Sequence, residues 1–174
     1  MTHRPPPLLF MSVMIYNDHY MNIYEEKLKN FLKTNKIQAQ HLSFNKSCHS
    51  VENAAIAANA NPEDFVKNIC MIDKNENLII AIVKGEDRAS TSRVGKALNI
   101  ERPRTATPNE ILERTGYPCG GTPSFGYNAI FLIDPRVLEK ETVYSGGGSE
   151  NSLVKISSDE LSKTSNAKIV RIRK

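Results

Sequence analysis

Two stretches of the chain gather residue types that can do chemistry. The first centres on Lys67, near the start of the mostly apolar run Phe65 to Ile72. A lysine there must reach the sheet end or a cleft, because burying an unpaired ammonium is costly. It either grips a phosphate or carboxylate and stabilises negative charge on an attacked carbonyl, or it is an edge lysine snorkelling to water. Spacing alone favours the second reading. The second stretch, Gly116 to Gly126, holds four glycines and two prolines in eleven residues. Such a loop is stiff and presents bare backbone, so its N–H groups can form an oxyanion hole or a nest for an anion. A long structural turn is the alternative. No GxxxxGK[ST] is present, so this is not a phosphate-binding loop of the Walker type.

Other positions invite weaker readings. Asp87 and Arg88 follow an apolar run, where they orient a site group, contact RNA or, more simply, form a solvated turn. Gly146-Gly147-Gly148 reads first as a hairpin turn and second as a pocket wall. Arg102, Arg104, Arg171, Arg173 and Lys174 either meet phosphates or are ordinary surface charges. Cys119 and His49 suggest a nucleophile and base, but no third residue supports the pair. His3, His19, His41 and His49 are too dispersed for a metal site.

The elements that position these residues can be read from pattern. Residues 22–34 carry Tyr24, Leu28, Phe31 and Leu32 on one helical face. Ile37 to Phe44 predicts a strand, and Ser50 caps a short helix over Val51 to Asn59. Phe65 to Asp73 and Leu78 to Lys84 predict a hairpin. A helix follows from Ser90 to Leu98. Thr107-Pro108-Asn109-Glu110 is a capping box with proline at the first helical position, and Gly116 suits the end of that helix. Ala129–Ile133, Thr142–Ser145 and Leu153–Ile156 predict further strands. Ser157 and Glu160 predict a second capping box, and Lys168–Ile172 a last strand. Helices alternating irregularly with strand pairs predict a single α/β (α+β) domain: a central mixed, largely antiparallel sheet with short surrounding helices.

Bulk properties fit one domain. The chain has 174 residues, 40% hydrophobic and 24% charged, and a net charge of 23 − 19 = +4. That is ordinary globular composition with a mild basic excess. Three scattered cysteines argue against disulfides and zinc and for a reducing, cytoplasmic setting. The apolar run Leu78–Val83 is strand-length, so no membrane span is expected. Residues 1–20, with three prolines and a short apolar patch, read as a poorly ordered N-terminal extension, with the biological start expected at Met21, or at Met11 or Met14; an ordered N-terminal arm is the alternative. Residues 21–174 read as the domain.

The ordered series Ser50-Val51-Glu52, Val66-Lys67-Asn68, Val83-Lys84-Gly85-Glu86-Asp87-Arg88, Thr107-Pro108-Asn109-Glu110 and Thr115-Gly116-Tyr117-Pro118-Cys119-Gly120-Gly121-Thr122-Pro123-Ser124-Phe125-Gly126 resembles the YbaK/ProX family of aminoacyl-tRNA editing domains. The resemblance spans residues 22–173. It implies a freestanding deacylase that hydrolyses the ester of a mischarged aminoacyl-tRNA, such as Ala, Cys or Ser on the wrong tRNA. It also implies an aminoacyl-tRNA substrate and a synthetase as a further partner, with no cofactor, metal or membrane. It assigns Lys67, Gly120 and Gly121 to catalysis. Asn68, Asp87, Arg88, Thr122, Pro123, Gly126, Gly146 and Gly147 are the expected substrate-binding positions. Ser124 stands where the family often has a second proline, which bears on pocket shape. A non-catalytic binder of the tRNA 3′ end or of a small metabolite is the alternative, as is a hydrolase of free small esters.

Overall fold

The computed structural model describes residues 23–174; the expected extension, residues 1–20, lies outside them. In chain order the elements are α1 (23–34), β1 (Ala39–Ser43), α2 (Val51–Ala58), β2 (Val66–Ile72), β3 (Leu78–Lys84), α3 (Thr91–Leu98), β4 (Arg104–Thr105), α4 (Pro108–Thr115), β5 (Ile130–Ile133), β6 (Thr142–Gly146), β7 (Ser152–Ser157), α5 (Ser158–Ser165) and β8 (Lys168–Ile169). Pro62–Asp64 and Pro135–Glu139 are short 3-10 turns.

The run LIIAIVK forms β3 because every one of its residues is buried, which a near-continuous apolar strand satisfies only at a sheet's centre. It lies between β2, antiparallel across the predicted hairpin, and β5, parallel, in a five-stranded sheet of order β4-β2-β3-β5-β8. A second, fully antiparallel sheet has the order β1-β7-β6. One face of the large sheet packs on the small sheet, α1, α4 and α5 through Ile80, Ile82, Leu28, Ile111, Leu161 and Val154. The other face packs on α3 and the C-terminal tail through Met71, Ala81, Val83, Val94 and Ile172. Each fully buried aliphatic side chain here contributes about 1.5–3 kcal/mol.

The helix signals act as read. Ser50 Oγ accepts the Asn53 N–H, Thr107 and Glu110 form a reciprocal capping box, and Gly116 ends α4. Three expectations change. The strand expected over Ile37–Phe44 pairs only at Ala39–Ser43. Ser157 caps α5, but the Glu160 carboxylate accepts from Gln38 N–H at 3.4 Å. The last strand pairs with β5 only at Lys168–Ile169, in parallel. The chain then leaves β5 to lie beside Arg88, with an Ala89–Arg173 bridge and Lys174 N–H donating to Arg88 O at 2.8 Å.

Candidate active site

The edge of β2 bounds a cleft of about 400 Å³. Phe65 bridges Tyr144 at one end of this edge, and β4 pairs only from Met71 onward. Between them, every residue from Val66 to Cys70 lines the cleft. Successive strand residues point to opposite faces, so lining by all five means that the cleft runs along the strand's unpaired edge. The ladder's parity agrees. Phe65 O accepts from Gly85 N–H on the β3 side, and Cys70 O accepts from Ala106 N–H on the other. Even-numbered residues therefore turn their backbone outward, and Asn68 presents its own N–H and C=O to the cleft.

Alternation also separates Lys67 from Asn68. Asn68 lies on the face of Cys70 and Ile72, toward the glycine loop, whereas Lys67 shares the opposite face with Ile69 and Met71. Lys67 enters the cleft over the strand edge. Among the described residues it has no acidic partner within 4 Å. The cleft's other ionisable lining groups are His49, Glu52, Tyr144 and the three cysteines. An unpaired half-buried cation beside exposed backbone donors is suited to holding an anion or a developing oxyanion.

The Asn68 side chain is a clamp. Its Nδ2 donates to Thr122 O at 2.9 Å and Ser145 Oγ at 3.2 Å, and its Oδ1 accepts from Ser124 Oγ at 2.6 Å. Ser124 Oγ and Ser145 Oγ lie 2.7 Å apart, both fully buried. Three distant segments, β2, the glycine loop and β6, are thus tied by one satisfied neutral network. The stacked rings of Phe65 and Tyr144, with centroids 4.8 Å apart, wall the cleft with Val51, Ala54 and Leu153.

Of the expected site residues, Lys67, Asn68, Gly120, Thr122 and Gly146 converge on the cleft. Gly120 has φ +90° and lies against His49, so a side chain there would be strained and obstructed. Its N–H donates to no group among the described residues. Gly121 is different from the expectation: it is buried, and its N–H is committed to Pro118 O at 3.0 Å, so it cannot serve as an oxyanion donor. Gly121, Pro123, Gly126 and Gly147 do not line the cleft. Gly121 crosses the Gly148–Ser149 backbone, and Gly126 backs onto Phe31. Asp87 and Arg88 do not line the cleft either. Asp87 pairs with Arg136 at 2.6 Å, and Arg88 is exposed beside the C-terminal tail.

The sequence reading missed Glu52, Ser124, Ser145, Tyr144 and Ile111 as site components. Only the position of Ser124 inside the glycine loop hinted at its role; the others arrive by tertiary contact. Cys48, Cys70 and Cys119 all line the cleft and are free thiols. Burial pushes the Cys48 thiol up and, with nearby Cys119, pushes Cys70 up to about 12. Neither is a nucleophile at neutral pH. No hydrogen bond joins exposed Cys119 to His49. Among the described residues no cluster of three His, Cys, Asp or Glu suits a metal ion, and no helix is long and apolar enough to cross a membrane.

Known proteins share parts of this sequence and this fold. The uncharacterised protein YwhH of Bacillus subtilis (strain 168) is 26% identical over 128 residues, 72% of this chain and 81% of its own. The solved structure of hypothetical protein APE2540 has a TM-score of 0.78 at 26% identity, covering 85% of this chain and 99% of that one. A candidate trans-editing enzyme for prolyl tRNA synthetase shares the fold with a TM-score of 0.80 at 22% identity, covering 87% and 97%. The aminoacyl-tRNA editing domain matches residues 45–164, which contain the β2 edge, the glycine loop and β6. The chain therefore belongs to the aminoacyl-tRNA editing domain family.

Proposed function

We propose that this chain, acting in trans, hydrolyses the ester that joins a small, wrongly attached amino acid such as alanine, cysteine or serine to the 3′ end of a tRNA. The observation that carries the reading is Lys67, a cation without an acidic partner among the described residues, at the unpaired β2 edge of a cleft that Gly120 also lines. In this reading water attacks the ester carbonyl, and the amino acid and the tRNA 3′ hydroxyl leave as separate products. The free N–H of Gly120 and the outward N–H of Asn68 face the developing oxyanion. Lys67 anchors a phosphate or the carbonyl oxygen. His49 and Glu52 are the lining groups suited to moving a proton. The apolar wall of Val51, Phe65, Tyr144 and Leu153 admits a small side chain and excludes a larger cognate one. Exclusion discriminates better than affinity, which yields only about 1–3 kcal/mol per methylene. Residues 21–174 act as the editing unit in the cytoplasm, beside the synthetase whose errors it removes.

Single-turnover deacylation of alanyl-, cysteinyl- and seryl-tRNA carrying the proline acceptor tests the reading. Lys67→Ala is expected to slow hydrolysis about 10²–10³-fold. Wild-type rates in that variant would remove Lys67 from the mechanism. Tight binding of every mischarged tRNA without turnover would make the chain a binder instead.

A further inference from the structure

Charge is distributed unevenly over the two faces of the large sheet. On one face α4 carries Glu110, Glu113 and Arg114, and α5 carries Asp159, Glu160 and Lys163, so acids and bases are mixed. On the other face α3 (TSRVGKAL) has two cations and no acid, and the tail from Val170 to Lys174 has three cations and no acid. The two segments are neighbours. Ser90 N–H donates to Ile172 O at 2.7 Å, and Val94 packs against Ile172.

The acids of this region are already engaged. Glu86 and Asp87 pair with Arg136, Asp134 pairs with Arg173, and Glu101 pairs with Lys74. That leaves Arg88, Arg93, Lys96, Arg102, Arg171 and Lys174 as exposed cations with no acidic partner within 4 Å among the described residues. Arg93 and Lys96 lie one helical turn apart on the outward side of α3. Arg102 is anchored through Nε to Thr91 Oγ1 at 2.6 Å, at the start of the same helix. Lys67 belongs to this face by strand alternation, and Gly85, three residues before Arg88, lines the cleft. A band of surplus positive charge therefore adjoins the cleft on the side from which Lys67 enters it.

We propose that the α3 and C-terminal-tail face binds the sugar–phosphate backbone of an RNA stem whose 3′ end enters the cleft. This rests on the deacylase reading for the identity of the end, but not for the surface. Phosphates spaced along a helix match a band of unpaired cations, and the pairing of the neighbouring acids with Arg136, Arg173 and Lys74 lessens the repulsion that unpaired carboxylates would offer.

The test uses the full chain and a fluorescent RNA hairpin bearing an acceptor stem and a CCA end, titrated over a range of salt. Two double variants, Arg88→Gln with Arg93→Gln and Arg171→Gln with Lys174→Gln, change exposed side chains that make no ion pair, so folding is preserved in at least one. Each double variant is expected to bind about tenfold more weakly at low salt and to lower the log Kd–log salt slope by about one per lost contact. A control pair on the opposite face, Lys33→Gln with Lys163→Gln, is expected to change neither. Turnover of an aminoacyl-adenosine, which has the ester and no stem, is expected to stay at the wild-type rate in the α3 and tail variants. Unchanged affinity and slope in both double variants, an equal loss in the control, or slowed aminoacyl-adenosine turnover would each overturn the surface. So would binding to anionic phospholipid vesicles with none to the RNA. If the wild type hydrolyses no ester while its RNA affinity responds to these cations, the deacylase reading fails and the surface stands.

Discussion

Two buried polar centres tie distant parts of this chain together, and they are built in opposite ways. Asp134, fully buried, accepts from Ile172 N–H at 3.0 Å, Arg173 N–H at 3.1 Å and Arg136 N–H at 3.1 Å, and pairs with Arg173 Nη1 at 2.6 Å. Burial alone would raise its pKa, but these donors together hold it below the ordinary carboxylate range. Asn68, Ser124 and Ser145 form a neutral knot at the edge of the cleft. The charged centre takes one donor from its own adjoining turn, Arg136 N–H, and the rest from the C-terminal tail, which it holds down. The neutral one joins three segments that shape the cleft. Charge satisfied away from the site serves stability, and a neutral network beside it sets geometry without adding a field that would compete with Lys67.

That contrast breaks first at Asp134. Asp134→Ala is expected to lower unfolding free energy by about 3 kcal/mol in chemical denaturation, because it strips a buried carboxylate from an arginine and three N–H donors. Deacylation by the remaining folded protein should stay near wild type. A carboxyl whose folded pKa is depressed stabilises fully above its unfolded value, about 3.9. That stability disappears as pH falls through the lower folded value. Asp134→Asn should therefore lose less stability relative to wild type as the pH drops toward that range. If deacylation collapses with stability intact, the division of labour is wrong.

Asn68→Ala comes next, with a cost of about 1–3 kcal/mol for the unpaired Ser124, Ser145 and Thr122 groups. Its loss of kcat should exceed what the folded fraction explains. Ser124→Ala sharpens the point. It should cost about 1 kcal/mol, yet lower kcat about tenfold or more with little change in KM, because sub-ångström displacement of the glycine loop spoils positioning. Equal, small effects on both constants would reduce the knot to packing. The smallest intrinsic effect is expected for Cys119→Ser, near wild type in stability and rate. That variant should, however, escape inactivation by a bulky maleimide, which reaches exposed Cys119 while Cys48 and Cys70 stay buried. Mass spectrometry of the labelled protein identifies the modified thiol.

Local signals in the sequence located most elements. Ser50, Thr107 with Glu110, and Gly116 mark helix ends through short-range bonds, and the two β-rich runs flanking Lys74–Asn77 fix the hairpin register without outside help. What stayed hidden was non-local. Nothing near Lys168 announces a parallel partner at Leu132, and nothing near Arg173 announces Asp134, which is 39 residues away. The site divides similarly. The Lys67 strand and the glycine loop were legible from residue type. Which side of the strand Lys67 occupies, and that the Gly121 N–H is spent at Pro118, depend on pairing and turn geometry that composition does not encode.

The floor behind the cleft is made where Gly121 crosses Gly148 and Ser149 and where Gly146 meets Thr122, with Gly148 N–H donating to Gly121 O at 2.7 Å. A Cβ on Gly121 would fall 2.6 Å from Ser149 N, and one on Gly146 would strike the Thr122 carbonyl. Two backbones in direct contact leave no room for a methyl group on either. The depth of the recess is therefore frozen, and any drift in which acyl group it accepts must come from its walls. A mutational library meant to retune this protein should leave those two glycines untouched and vary Val51, Ile111 and Cys119.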